Sequence, residues 1–422
     1  MRERAQVIDR LLEERVETVL QPIMRRAGID MWVIISREYN EDPVLMTFLP
    51  ATWDGARRTT ILVVYDPGGE KKLETYAMAR YAVGKIFTKA WDKEKQPDQW
   101  KALADMIVEK NPKKIGVDRS STFALADGIT STHYDHLVSA LPDKMKNRVV
   151  GAENVAIGWL ETRTESELAI YPNIVRMAKQ IIAEGLSEKV IQPAVTTTDD
   201  VVWWYRERIK ELKLDTWFHP SVSVQRKDPE SFEHLRAFSD RPENQVILPG
   251  DLIHVDFGIT YLRLNTDTQQ HAYVLKPGET EPPAFLKEAL ARANRVQDIL
   301  TGNFRTGRTG NQILKASLDQ CAKEGLKCSI YTHPLGFHGH AAGTTIGLWD
   351  QQDGVPFAGD YPLYPNTAHS IELNAASFIK EWNKEIRIML EEDAFFDGSS
   401  MRYIDGRQKE FFVIPRPMPP NS

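Results

Sequence analysis

Asp256 and Asp267 lie eleven residues apart in the stretch His254-Val-Asp-Phe-Gly-Ile-Thr-Tyr-Leu-Arg-Leu-Asn-Thr-Asp267. The first ends an apolar run from Val246 that reads as a turn followed by a buried strand, and the second follows a segment able to fold back beside it. Two carboxylates held side by side in a sheet repel one another and need a cation or a shared proton. Two more acids stand in strand-like apolar runs: Glu372 in His369-Ser-Ile-Glu-Leu and Glu391 in Ile388-Met-Leu-Glu-Glu-Asp-Ala-Phe-Phe. Three histidines, His333, His338 and His340, crowd the glycine-rich stretch Thr332–Gly343. Hard oxygen donors with one imidazole suit a pair of divalent first-row cations that activate water.

The elements that must position these residues follow from periodicity. Apolar positions from Leu11 to Met24 fit one face of a helix over 6–27, stopped by Gly28. Asp30–Ser36, Thr59–Tyr65 and Lys114–Asp118 read as strands, with a helix over about 97–110, so the first part is α/β. A capping box, Thr164-Glu-Ser-Glu167, opens a helix to about Gly185, and further helices are expected from Val201, over Pro282–Leu300 and over Gly310–Glu324. Helices interleaved with antiparallel hairpins make the second part α+β. We divide the chain into domains 1–158 and 159–422. Trp203 and Trp204 are assigned to the core, and His133 and His136 to a solvated helix face.

Composition narrows the function. The 422 residues are 42% apolar and 27% charged, an ordinary globular balance. A net charge of -6 argues against nucleic acid or an anionic membrane as partner. No run approaches a membrane span, and no secretory signal opens the chain, so a cytoplasmic location is expected. Cys321 and Cys328 are read as reduced thiols, and no zinc-finger spacing is present.

The combined motifs resemble the pita-bread metallopeptidase family, which includes methionine aminopeptidase, aminopeptidase P, prolidase and the metal-free creatinase. Asp256, Gly258, Tyr261 and Asp267 fit the pattern around that family's first two ligands. Glu372 and Glu391 fit its last two strands, and Gly339-His340-Ala-Ala-Gly343 fits the frame of its ligand histidine. The resemblance implies a pita-bread catalytic domain behind a smaller creatinase-type domain. It implies two divalent ions (Mn, Zn, Co or Fe) held by Asp256, Asp267, His340, Glu372 and Glu391. Asp267 and Glu391 would bridge the ions, and Glu372 would also shuttle the proton. His234, with His219 as competitor, would hold the substrate carbonyl or the oxyanion. The substrate would be a short peptide with proline in second position, and the protein a homodimer.

The sequence also departs from that family. Thr268-Gln-Gln-His271 replaces its Thr-Arg-Thr signature, and the residue seven beyond His340 is Gly347 rather than histidine. A second register puts Thr344 at the ligand position and Gln351 at the later histidine. His338 is the fallback ligand, Glu392 competes with Glu391, and His333 is expected to be dispensable for metal. The alternative function is a creatinase-like, metal-independent C–N hydrolase, a lyase or a binding protein on the same fold.

Overall fold

The computed structural model describes residues 1–227 and 244–416. They form two compact units, Met1–Glu167 and Leu168–Ser422. The division lies inside the helix Glu165–Gly185, later than 158. That helix does open on the expected capping box: Thr164 N donates to Glu167 Oε2 (2.9 Å), and Glu167 N donates to Thr164 Oγ1 (3.3 Å).

The first unit is built on a six-stranded mixed sheet. Its strands are β1 (Met31–Arg37), β2 (Thr59–Tyr65), β3 (Glu74–Ala77), β4 (Thr88–Lys89), β5 (Ile115–Val117) and β6 (Val149–Gly151), in the order β4-β3-β2-β1-β5-β6. β1 is apolar on both faces because the sheet is covered on both sides, and Met31 to Ile35 are all buried. The N-terminal helix runs from Arg2 to Ala27 with a π-turn at Val16–Leu20, and Gly28 ends it in the left-handed conformation (φ 66°). His133 is buried against Trp100 rather than solvated, because the face of its helix turns inward.

A buried acid pair in this unit gives a pH prediction. Asp42 caps the helix Pro43–Phe48, its Oδ1 accepting from Val44 N (2.8 Å) and Leu45 N (3.0 Å). Asp118 Oδ1 accepts from Trp32 Nε1 (2.6 Å). The two remaining oxygens lack a donor and face one another, which a shared proton satisfies. Burial first, with the charge of Asp127 adding to it, pushes the Asp42 carboxyl up to about 6, against the hydrogen bonds from Leu45, Asp118 and Val44 that pull it down. Because the folded state holds this proton more tightly than the unfolded chain, the stabilisation is complete near pH 4 and is lost as pH rises through about 6. Asp118→Asn keeps the acceptor for Trp32 and supplies a permanent donor to Asp42. Melting curves from pH 4 to 8 should show the wild type losing stability across that range. The variant should stay nearly flat and be about 1–3 kcal/mol more stable at pH 8; equal slopes would contradict the shared proton.

The second unit carries three larger sheets. β7 (Ser221–Gln225), β8 (Leu252–Phe257), β11 (Thr268–Val274) and β19 (Phe412–Ile414) pair in the order β19-β11-β8-β7, and a small hairpin, β9 (Thr260–Tyr261) and β10 (Leu264–Asn265), links β8 to β11. β12 (Lys327–Ile330), β15 (Leu373–Ile379) and β16 (Lys384–Leu390) form the second sheet. β13 (His333–Leu335), β14 (Thr367–Ser370), β17 (Asp393–Phe396) and β18 (Met401–Tyr403) form the third. Helices Glu165–Gly185 and Thr198–Glu211 bury Tyr171, Ile182 and Tyr205 against Val255 and Phe257. Helices Ala284–Gly302 and Gly310–Lys323 bury Leu286, Leu290 and Ile313 with Ile386 and Ile388. Trp203 is 55% exposed and turns away from the core, whereas Trp204 is partly buried against it. Both cysteines are free thiols. No helix of the described residues is long and apolar enough to cross a membrane.

Candidate metal centre

Each acid reaches the centre on a different element. Asp256 is the penultimate residue of β8. Leu262 and Arg263 turn the chain at positive φ (54° and 64°), and β11 then returns antiparallel, with Gln269 opposite Asp256. Gly258 is required by this fold-back, because a Cβ there would lie 2.3 Å from Thr266 O. Glu372 and Glu391 stand where two long strands pass from one sheet to another: β14 pairs with β17, β15 pairs with β16, and the acids occupy the links. Glu391 is tied across to β11 by two backbone bonds with Gln269 (3.0 and 3.3 Å).

The side chains converge. Ligand-capable atoms fall within 4.8 Å of one another in three overlapping groups: Asp256–Asp267–Glu391, His333–Glu372–Glu391 and Asp267–His333–His340. Asp267, Glu391 and His333 each belong to two of them. His333 Nδ1 lies 2.9 Å from Pro334 O, which as an N–H donor bond leaves the Nε2 lone pair aimed at the acids. Nε2 is 3.6 Å from Asp267 Oδ2 and 3.5 Å from Glu391 Oε1. Those separations are long for hydrogen bonds, but two donors sharing one cation through ~2.1 Å bonds at the tetrahedral angle stand about 3.4 Å apart. Glu391 Oε1 also accepts from Ser370 Oγ (2.6 Å). Among the described residues, no lysine or arginine ion pair neutralises Asp267, Glu372 or Glu391. The donor set therefore fits divalent cations.

The electrostatics record the same crowding. Burial, then Glu391 and Asp256, raises Asp267 well above the usual carboxylate range, and burial followed by Glu391 does the same to Glu372. Burial would also raise Glu391, but His333, Ser370 and Gln269 outweigh it and hold it low. Burial would lower His333, but Glu391 and Glu372 raise it. Burial and the neighbouring His333 push His340 down to about 4, so its imidazole is neutral at pH 7.

Several expectations meet the geometry directly. Asp256, Asp267, Glu372 and Glu391 are brought together. Glu392 points to the opposite face, where its Oε2 pairs with Lys179 Nζ at 2.6 Å and its Oε1 accepts from Gln408 N and Gln270 Nε2. His340 is exposed and stands edge-on to Trp217 and His333, within reach of Asp267. His338 is in none of the three groups, and Thr344 is buried. His219 is exposed beside Arg206 and Trp203. His234 lies outside the described residues.

Two residues at the centre were not anticipated there, His333 and Gln269. For His333 the available signal was its place just ahead of the apolar pair Pro334-Leu335 and two residues after Tyr331; His333–Leu335 is strand β13. The centre opens into a cavity of about 350 Å³ whose wall includes Trp217, Phe218, Tyr331, Trp349 and Met389 beside His340.

With this geometry in place, comparison with known proteins is direct. The metallopeptidase family M24 model matches residues 173–395, more than half of the chain. Among curated proteins, none matches. Similar solved structures include an X-Pro aminopeptidase from Thermotoga maritima (16% identity, 93% of this chain and 100% of that one, TM-score 0.63). An Xaa-Pro dipeptidase from Bacillus anthracis (17%, 95% and 99%, 0.60) and a prolidase from Pyrococcus furiosus (12%, 94% and 99%, 0.54) are similar as well. At these identities the likeness is one of fold.

Proposed function

The chain belongs to metallopeptidase family M24 and has its pita-bread fold, and from that premise we propose that it is a metal-dependent hydrolase of short peptides acting on Xaa-Pro bonds, of the aminopeptidase or dipeptidase kind. The observation that carries this reading is the convergent set of buried Asp267, His333 and Glu391 with half-buried Asp256 and Glu372, beside an aromatic-walled cavity. Asp256, Asp267 and Glu391 would hold one cation, and Glu372, Glu391 and His333 the other. When bound, the cations supply Lewis-acid polarisation of the scissile carbonyl and an acidified water. The protein supplies the rest. The Glu372 carboxylate takes a proton from the attacking water and returns it to the leaving amine nitrogen. The neutral His340 imidazole faces the cavity and donates to the carbonyl oxygen as negative charge develops there. His234 is retained as a second candidate for that contact. Trp217, Phe218, Tyr331 and Trp349 exclude water and offer flat apolar faces to the side chain and the proline ring.

The test uses chelator-stripped full-length protein, Xaa-Pro and Xaa-Ala di- and tripeptides, and added Mn²⁺, Co²⁺, Zn²⁺ or Fe²⁺. Hydrolysis should depend on metal and favour Xaa-Pro. Metal-independent turnover of another C–N bond would favour the creatinase-like alternative, and metal-dependent cleavage without proline preference would remove the Xaa-Pro assignment. Light scattering on the same preparation checks the homodimer that belongs to this reading.

A further inference from the structure

The chain has two cysteines, and the hydrolytic chemistry above uses neither. Cys321 lies in the last turn of the helix Gly310–Lys323, and Cys328 is the second residue of β12. The connection between them is short and braced. Gly325 turns it in the left-handed conformation (φ 67°), and Leu326 N donates to Cys321 O (2.8 Å). The helix Ala284–Gly302 holds it from outside: Arg292 donates to Gly325 O (2.8 Å), and Arg295 pairs with both carboxylate oxygens of Glu324 (2.7 and 2.8 Å).

Strand register sets where the thiols point. Cys328 stands opposite Ala375, and Ile330 opposite Leu373, and these side chains share the apolar layer that holds Cys321. Side chains alternate along a strand, so Ser329 turns to the other face. There its Oγ accepts from Asn374 Nδ2 (2.6 Å), and both residues line the cavity. The helix and the strand thus offer one thiol each to the same layer from opposite sides, and the Cys328 thiol donates a hydrogen bond to Cys321 Sγ. Cys321 is buried, and Cys328 is half-buried.

We propose that Cys321 and Cys328 are a reversible dithiol–disulfide site whose oxidation ties β12, and with it the Ser329 edge of the cavity, to the helix behind it. The oxidant is a low-molecular-weight disulfide such as oxidised glutathione. Once the pair has lost one proton, the other bridges the sulfurs, and the half-buried Cys328 is the one that meets the oxidant. Cys328 Sγ attacks one oxidant sulfur and expels the first thiolate. Cys321 Sγ then attacks the mixed disulfide at Cys328 and expels the second. Two electrons and two protons pass from the cysteines to two molecules of free thiol. The inference is independent of the peptidase reading.

The test equilibrates the full-length chain with oxidised glutathione or with dithiothreitol and reads thiol content, intact mass, melting and amide hydrogen exchange, none of which needs turnover. Oxidation should remove both thiols and two hydrogens of mass without joining chains, and dithiothreitol should restore them. The oxidised form should melt at least about 4 °C higher, the size of shift a bridge across a short loop gives in a unit this large. Amides of Lys327–Ile330 should exchange at least about tenfold more slowly. Cys321→Ser should stop at a stable glutathione adduct on Cys328, and Cys328→Ser should take up none. Thiols that persist in the native wild type, or a bond that joins two chains, overturn the site. An adduct on Cys321 in the Cys328→Ser variant overturns the order of attack, and unchanged exchange in the oxidised form overturns the tie to the cavity wall.

Discussion

Asp267→Asn is expected to lose bound metal and to reduce peptide hydrolysis by more than about 100-fold, since even neighbours of metal ligands cost up to that much in affinity or activity. Asp267 is buried and belongs to two of the three donor groups, one with Asp256 and Glu391 and one with His333 and His340. An amide presents one neutral oxygen and one NH₂, so it cannot face donors on both sides with oxygen. The change should not harm the fold. Asp267 is held by its backbone, with N donating to Asp393 Oδ1 (3.0 Å) and O accepting from Ser370 Oγ (3.4 Å), and asparagine keeps both bonds. Removing one charge from a crowd of acids also relieves repulsion. The metal-free variant should therefore melt no lower than the metal-free wild type, while elemental analysis finds it depleted. Full metal content with normal turnover would sink the assignment of Asp267, and a lowered melting point would mean that the loss came from unfolding.

The same cluster marks where the sequence stops being legible. Asp256 and Asp267 could be read because everything that pairs them is local: an apolar strand, a close-approach glycine and a fold-back within eleven residues. Glu372 and Glu391 could be read because an acid in an apolar run is costly unless something there needs it. Side-chain alternation separates Glu391 from Glu392, and the structure puts the first on the cluster and the second on Lys179. The histidine was beyond such reasoning. His333, His338 and His340 fall within eight residues of a glycine-rich segment that has no period, so spacing cannot say which ring turns inward. That is decided by β13 pairing with β14, in which His333 lies opposite Ser370, itself a partner of Glu391. The place of Gln269 was equally hidden, since its amide becomes a bridge between the Glu372 and Glu391 carboxylates only after three distant segments have met.

The histidine question yields to a pair of substitutions with opposite expected signatures. His333→Ala should lower the binding of one metal equivalent by at least about 10- to 100-fold and take most activity with it. His333 is buried, its Nδ1 is engaged by Pro334 O, and its Nε2 stands at sharing distance from Asp267 and Glu391. His340→Ala should leave metal stoichiometry intact and lower kcat by about 100-fold, the lower end of what one hydrogen-bond donor to a developing oxyanion contributes. His340 faces the cavity, stands edge-on to Trp217, and with its pKa near 4 keeps a neutral ring that donates through one N–H at pH 7. The two rings touch, with centroids 4.8 Å apart, so each variant also tests whether its neighbour can take over. If His340→Ala loses a metal equivalent and His333→Ala keeps it, the ligand is the outer ring, and the inner one serves only as a proton partner for Glu391. If neither variant loses metal, the cations are held by carboxylates alone.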